Sequence, residues 1–384
     1  MWRHIASNAL TLMVVILVVV GGIIAWGKTQ YIASGPLDEA ICLRVKSGSN
    51  MRRVSEELAE RGAVSSPAIF RIGASYSEKS EQLKAGSFLV PEKASMAEIV
   101  DIVTRGGAST CGTEVVFRIG VNRTSMQVRE LDPVTKRFVE VVSFDPAAED
   151  DPEAYGDVRE QADTRYRIAM AEGTTVWQVV QALKEADFLN GEVDAMPPEG
   201  MLAPDSYEVV AGAERGELLS RMQEEQARRL AEAWQDRADG LPIATPEEAL
   251  VLASIIEKET GTPDERAQVA SVFVNRLRRG MRLQTDPAVT YGVTNGQGNL
   301  GRGLRQSELR KETPYNTYVI EGLPPTPIAN PGIDAINAAL HPAETEFLFF
   351  VADGTGGHAF AKTLSEHNEN VAKWRAIEAE QGGN

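Results

Sequence analysis

Metal-binding side chains are scarce in this sequence, which has four histidines and two cysteines among 384 residues. His4, His341, His358 and His367 form no HExxH pair or other ligand spacing, and Cys42 and Cys111 stand too far apart in the chain for a zinc site. A metal enzyme is therefore disfavoured, and no cofactor is implied. Positive charge is also short: 39 Lys and Arg against 55 Asp and Glu leave a formal net charge of -16. Such a surface repels nucleic acid backbones over most of its area, so nucleic acid is not an expected partner. Hydrophobic residues at 43% and charged residues at 24% exclude both wholesale disorder and a polytopic membrane protein. The length accommodates two or three domains of about 100 to 200 residues each.

One long apolar run does occur, at the N-terminus. Ala9 to Trp26 reads ALTLMVVILVVVGGIIAW, and apart from His4 no formally charged residue stands between Arg3 and Lys28. At a rise of about 1.5 Å per residue this run nearly covers a hydrocarbon core of about 30 Å, and Trp26 and Tyr31 stand where interfacial aromatic anchors are expected. The expectation is a transmembrane anchor over 9–27 behind a short cytoplasmic tail over 1–8. A cleaved signal peptide, with an apolar region of about 7 to 15 residues, is the competing reading. With Arg3 and the terminal amine ahead of the span and a long domain behind it, everything beyond Lys28 is expected outside the cytoplasm. That compartment permits a disulfide between Cys42 and Cys111. A bridge and two free thiols both stay open, because spacing in sequence does not give the distance between Cα atoms.

The chain repeats itself once. Leu43-Arg-Val-Lys-Ser-Gly-Ser-Asn-Met, with Val54 and Leu58, lies at a constant offset from Ile168-Ala-Met-Ala-Glu-Gly-Thr-Thr-Val, with Val179 and Leu183. Each copy reads as a short strand, a turn at Gly48 or Gly173, a hydroxyl cap at Ser49 or Thr174, and an amphipathic helix. The first copy continues through Ala68 to Phe70, a strand from Lys84, and a helix over Ser95 to Val103 that stops at Gly106-Gly107. That arrangement resembles the LysM-like glycan-binding module. The expected organisation is a LysM-like module over 40–111, a β-rich insert and acidic linker over 112–164, and a C-terminal mixed α/β domain over 165–384 with a second LysM-like element at 165–195. The fold class is α/β (α+β). Within the insert, Val115-Val-Phe-Arg-Ile and Phe138-Val-Glu-Val-Val read as strands, and Ala147 to Gln161 reads as a solvated acidic linker.

Two helices further on open alike, with Thr245-Pro-Glu-Glu and Thr262-Pro-Asp-Glu supplying a hydroxyl cap, proline in the first turn and a carboxylate. Gly261 and Gly280 read as their stops. In the first, Leu250, Ala253, Ser254 and Glu257 share one face, which puts Glu257 on the buried side, while Glu259 lies about 200° around the helix and faces away. A carboxyl against an apolar face is disfavoured in its charged form, the condition for a general acid near neutral pH. A structural glutamate satisfied by an arginine or a backbone amide would give the same pattern. Downstream, Gln284, Thr285, Asp286 and Tyr291 are hydrogen-bonding side chains suited to sugar hydroxyls, expected on a loop turned by Asp286-Pro287. Tyr315-Asn-Thr-Tyr and Gly322-Leu-Pro-Pro-Thr-Pro-Ile-Ala-Asn-Pro-Gly add rigid polar and aromatic loops.

Taken together these segments resemble the membrane-anchored endolytic murein transglycosylases of the MltG or YceG-like type. The resemblance is carried by Glu199-Gly-Met-Leu-Ala-Pro-Asp-Ser-Tyr, Leu252-Ala-Ser-Ile-Ile-Glu-Lys-Glu-Thr, Val272-Phe-Val-Asn-Arg-Leu, Leu283-Gln-Thr-Asp-Pro-Ala-Val-Thr-Tyr-Gly, Pro314-Tyr-Asn-Thr-Tyr, the Gly322 loop, and Gly357-His-Ala-Phe with Glu366-His-Asn. Met201-Leu-Ala departs from a more aromatic stretch in the family, and the 112–164 insert is longer than the family's connection. The resemblance implies cleavage of MurNAc-GlcNAc bonds in peptidoglycan to give 1,6-anhydroMurNAc ends, with Glu257 as the catalytic acid and base. Asn275, Gln284, Thr285, Asp286, Tyr291, Tyr315 and Asn316 are then candidates for holding the sugars, while Glu199 and Asp205 are expected to be structural. Implied partners are peptidoglycan strands, the plasma (inner) membrane through one helix, and cell-wall synthases, with the catalytic domain periplasmic. Two rivals make different predictions: a non-catalytic peptidoglycan-binding scaffold, and a water-using muramidase with Asp286 or Glu259 as second carboxylate.

Overall fold

The apolar N-terminal run folds as part of one helix, α1 (Trp2–Ile32). Its segment Leu10–Ile32 is long and apolar enough to cross a membrane, and the most apolar part of it is covered by nothing else in the chain. The computed structural model describes residues 2–105, 110–159, 161 and 163–381. Met1 of the expected tail, the expected stop at Gly106-Gly107, Ala162 at the end of the expected insert and the last three residues of 165–384 lie outside the described residues. The chain is a mixed α/β protein of two units: Met1–Val115 with Gln127–Ser143 and Asp151–Arg165, and Val116–Met126 with Phe144–Asp150 and Tyr166–Asn384.

In the first unit β1 (Ile41–Val45), α2 (Met51–Glu60), α3 (Pro67–Tyr76), β2 (Gly86–Val90) and α4 (Met96–Thr104) follow α1. β1 and β2 pair antiparallel from Ile41↔Val90 to Val45↔Gly86. Leu43, Leu58, Phe70, Val90 and Ile99 meet in the core, the apolar positions that strand alternation and helical spacing direct inward. The α2 cap is Asn50, whose side chain accepts from Arg53 N–H, one residue later than the expected Ser49. Cys42 and Cys111 form a disulfide with Cα atoms 5.7 Å apart.

Beyond it come β3 (Thr113–Ile119), β4 (Thr124–Asp132), β5 (Arg137–Phe144), with β4 and β5 adjacent, and α5 (Glu153–Arg159). The solvated linker expected over Ala147 to Gln161 therefore needs correcting. Tyr155 and Val158, three residues apart, are buried, and that pair is enough to anchor a short helix whose acidic side chains stay outside.

The second unit continues with β6 (Arg165–Met170), α6 (Val176–Glu185), β7 (Leu189–Asn190), β8 (Ser206–Val209) and β9 (Ala213–Glu214). β6 pairs antiparallel with β8 from Tyr166↔Val209 to Ala169↔Ser206, and the Val116–Ile119 part of β3 lies on its other edge. The helix α6 starts at Thr175, which forms a capping box with Gln178, again one residue later than the expected Thr174. The helices are α7 (Arg215–Gln235), α8 (Pro246–Glu259), α9 (Arg266–Arg278), α10 (Asp286–Thr294), α11 (Gln306–Arg310) and α12 (Ile333–Leu340), followed by the hairpin β10 (Phe349–Ala352) and β11 (His358–Ala361) and by α13 (Leu364–Gln381). α8 begins as expected, with Thr245 accepting from Glu248 N–H and proline in the first turn. The second expected cap does not form: Thr262 opens only a 3-10 turn, with no side-chain bond, and its hydroxyl donates to Gly356 O instead. Gly261 is likewise no stop, because α8 already ends where Thr260 turns extended.

Candidate active site

The site is built at the end of α8. Ala249 to Ile256 are all buried, the signature of a helix packed on every side. The core around it includes Ile336 of α12 and, from the same helix, Ala335, Ala338 and Ala339, the alanines being small enough to let two helix backbones approach. The last turn, Glu257-Lys258-Glu259, is thereby delivered in three directions.

Glu257 accepts a hydrogen bond at Oε2 from Gly332 N–H, 3.0 Å away, and Gly332 is the residue on which α12 begins. Burial raises the Glu257 carboxyl above the ordinary carboxylate range; the Gly332 N–H opposes that rise, and the charge of Glu172 adds to it. Glu172 itself packs over Gly332, whose missing side chain leaves the space. Lys258 donates to Gly173 O at 3.2 Å, and its own burial lowers its pKa. A Cβ at Gly173 would lie 3.8 Å from Glu257 Cγ and 3.6 Å from Lys258 Cδ. This turn, at φ +78°, is thus the point where the second copy of the repeat meets the carboxyl.

Beside it opens a cleft of about 270 Å³ lined by Val121, Gln178, Lys258, Asp286, Tyr291 and Asn299, among others. Two of the expected sugar-binding residues, Asp286 and Tyr291, line it. Asp286 opens α10 rather than turning a loop, since Pro287 fits the first turn of a helix, and it accepts from Tyr318 O–H at 2.7 Å. Tyr291 donates to Glu199 Oε2 at 3.1 Å. Glu199 also accepts from Val176 N–H and Gly200 N–H, while burial raises its pKa; it braces the wall behind the cleft. Asp205 pairs with Arg229. Tyr315 supports the same wall, with its ring centroid 5.0 Å from that of Tyr291 and its hydroxyl 2.8 Å from Thr326.

Four expected residues are placed otherwise. Asn275 lines a separate cleft, and its amide donates to Thr345 O and Phe347 O. Asn316, fully buried, ties Glu308 O and Lys311 O. Thr285 is 1% exposed; its hydroxyl donates to Glu259 and its N–H to Thr317. Gln284 sits at φ +54° and its side chain accepts from Arg276 at 3.1 Å. Glu259 does turn away from Glu257, and it is half-buried there rather than open to solvent. Burial, helped by the charge of Asp286, pushes its carboxyl up to about 7 against the opposing hydrogen bond from Thr285 and the charge of His358.

Arg276 is a positioning residue that sequence reasoning missed. It is buried, and its guanidinium reaches Leu348 O at 2.7 Å and Leu283 O at 3.0 Å besides Gln284. Its signal was its place in Val272-Phe-Val-Asn-Arg-Leu, one residue after the asparagine that drew attention. Glu172, Gln178 and Asn299 were also missed, because only the folded chain brings them to Glu257 or the cleft. Among the described residues, no group of three or more His, Cys, Asp or Glu is placed to hold a metal ion.

Fold and site together define a mixed α/β protein with one carboxyl held at a helix start beside a cleft of mixed polar and apolar lining. The YceG-like family model matches residues 43–139 and 147–373, and the chain belongs to that family. A protein of Bacillus subtilis strain 168 named endolytic murein transglycosylase is 44% identical over 125 residues, 33% of this chain and 34% of the relative. Its namesake in Streptococcus pneumoniae strain D39 is 26% identical over 349 residues, 87% of this chain and 58% of the relative. The aligned stretches thus span one third to just over half of the length of these relatives. A yceG-like protein of Listeria monocytogenes, solved at 2.6 Å, is 22% identical with a TM-score of 0.47, over 86% of this chain and 98% of that one.

Proposed function

We propose that this chain is an endolytic peptidoglycan lytic transglycosylase, cutting MurNAc-GlcNAc bonds within nascent glycan strands and ending their elongation. The observation that carries the reading is Glu257: a half-buried carboxyl, raised in pKa, with a backbone N–H on one oxygen and a cleft lined by its neighbour Lys258. The names of the curated relatives support the same substrate class.

In this mechanism protonated Glu257 gives its proton to the glycosidic oxygen as the C1–O bond breaks. The resulting carboxylate takes the proton of the substrate's own C6 hydroxyl while that oxygen bonds to C1. The 1,6-anhydro ring closes, no water is consumed, and Glu257 ends protonated as it began. One carboxyl suffices because the nucleophile belongs to the substrate, whereas hydrolysis needs a second group to act as nucleophile or to activate water. Asp286, Tyr291 and Lys258 would meet the sugars in the cleft, with Gln284, Thr285, Tyr315 and Asn316 holding the walls and loops around it and Asn275 fastening the chain at a separate cleft. The LysM-like module over 40–111 would bind glycan, α1 would anchor the chain in the inner membrane with the catalytic domain (165–384) in the periplasm, and wall synthases would be its neighbours.

The full chain and its Glu257→Gln variant, incubated with uncrosslinked glycan strands, test this by mass spectrometry of product ends. Internal cuts ending in anhydro sugars, absent from the variant, are expected. Reducing ends would move the reaction to hydrolysis, and binding without cleavage would make the protein a scaffold.

A further inference from the structure

Large apolar side chains left in water are few outside α1, and α3 carries two of them one turn apart, Ile72 at 69% and Tyr76 at 92% exposure. With Ile69 and Gly73 they form one stripe, since positions three and four apart share a helix face. The opposite side of α3, Phe70 and Ala74, is buried in the core, and Ile69 packs against the edge of that core, so Ile72 and Tyr76 are the two side chains that folding leaves uncovered. It is also the face that meets α1: a Cβ at Gly73 would overlap the Tyr31 ring.

That contact fixes a depth. Tyr31 follows Lys28, the first charge after the apolar run, by three residues, roughly 4.5 Å along a helix. The headgroup layer on each side of a bilayer is about 5 to 7 Å thick, half the difference between the hydrocarbon core and the whole membrane. We propose that Ile72 and Tyr76 dip into the headgroup layer of the bilayer that α1 crosses, giving the LysM-like module a second, monotopic attachment. The inference rests on reading α1 as a membrane anchor. A tyrosine with an apolar ring and a polar tip suits that layer. Apolar burial is the driving term, because a chain of net charge -16 gains nothing from anionic lipid.

The test uses the full chain in phosphatidylcholine vesicles, with the fluorophore NBD on Tyr76→Cys or, separately, on Leu17→Cys; the native cysteines are bridged and stay unlabelled. At Leu17→Cys, quenching by lipids carrying a nitroxide midway along the acyl chain reports the anchor. At Tyr76→Cys, headgroup nitroxides are expected to quench severalfold more than aqueous iodide, and adding Ile72→Asp should reverse that order. If iodide quenches better at Tyr76→Cys while Leu17→Cys is still quenched by acyl-chain nitroxide, the surface contact is wrong and the anchor stands. If Leu17→Cys is not quenched by lipid nitroxide, the anchor fails and the proposal with it.

Discussion

The two copies of the strand-turn-helix repeat have the same local geometry and opposite surroundings. Gly48 and Gly173 both turn at positive φ, +74° and +78°, and both lead to a capped amphipathic helix. A side chain added at Gly48 would meet nothing within 4 Å, whereas one at Gly173 would touch Glu257, Lys258 and Val121. The first copy is fastened by a disulfide on its strand, at Cys42; the second is fastened by the loops around the candidate acid, with Asn330 accepting from Gly173 N–H and donating to Thr174 O. The lesson is that a turn acquires a chemical role from what packs on it, while its own backbone remains unchanged.

The sharpest test of that contrast is Glu257→Gln. Removing a positioned proton donor is expected to lower strand cleavage by about 10² to 10⁴-fold, and no substitution at the first copy's turn should approach that in the same assay. Next in size is the disulfide. It closes a loop of 69 residues, for which a stabilisation of about 4 kcal/mol is expected. Reduction should therefore abolish hydrogen-exchange protection in β1 and β2 first, with α8 protected to higher denaturant; equal loss in both would break the comparison.

A third test uses pH. Burial raises the Glu259 carboxyl from 4.5 to about 7, so its protonated form contributes stability that is complete below the unfolded value and lost as pH rises through about 7. The loss amounts to something on the order of 3 kcal/mol. Urea melts followed at Trp234, which packs against the α8 core, should show this decline between the unfolded value of 4.5 and about 7, and Glu259→Gln should flatten it. An unchanged slope would remove Glu259 from its assigned place. The smallest effect separates the copies most directly. Gly48→Ala and Gly173→Ala should each cost about 1 kcal/mol, from placing a side chain at positive φ. Only Gly173→Ala should also slow cleavage, by roughly tenfold, because relief of strain at φ +78° would shift the turn that packs on Glu257 and accepts from Lys258.

Much of this was legible in the sequence where the cause is local. Helical spacing put Glu257 on a buried face, Thr245-Pro-Glu-Glu gave the start of α8, and the repeat was visible from spacing alone. The caps came out one residue late in both copies, because Asn50 and Thr175 present their side-chain oxygens to the third residue onward, a choice that neighbouring polar residues leave undecided. What failed to show was everything fixed by distant chain. Glu259 reads from sequence only as facing away from Glu257, because one amphipathic face says nothing about what packs on the other. Thr285 and Asn316 have the chemistry of sugar-binding groups but spend it inside the fold. Asn275 drew the attention that Arg276 deserved, since a buried guanidinium is recognisable only by the carbonyls that surround it.

The last turn of α8 constrains how this protein tolerates change in length. Glu257, Lys258 and Glu259 each have a separate destination, and each residue inserted or removed upstream in the helix rotates all three by about 100°. A single deletion between Pro246 and Ile256 would carry the acid, the cation and the brace to the wrong addresses while leaving every side chain intact. Changes in length should therefore be tolerated in the loops, whereas the helix that carries the candidate acid should tolerate only substitution.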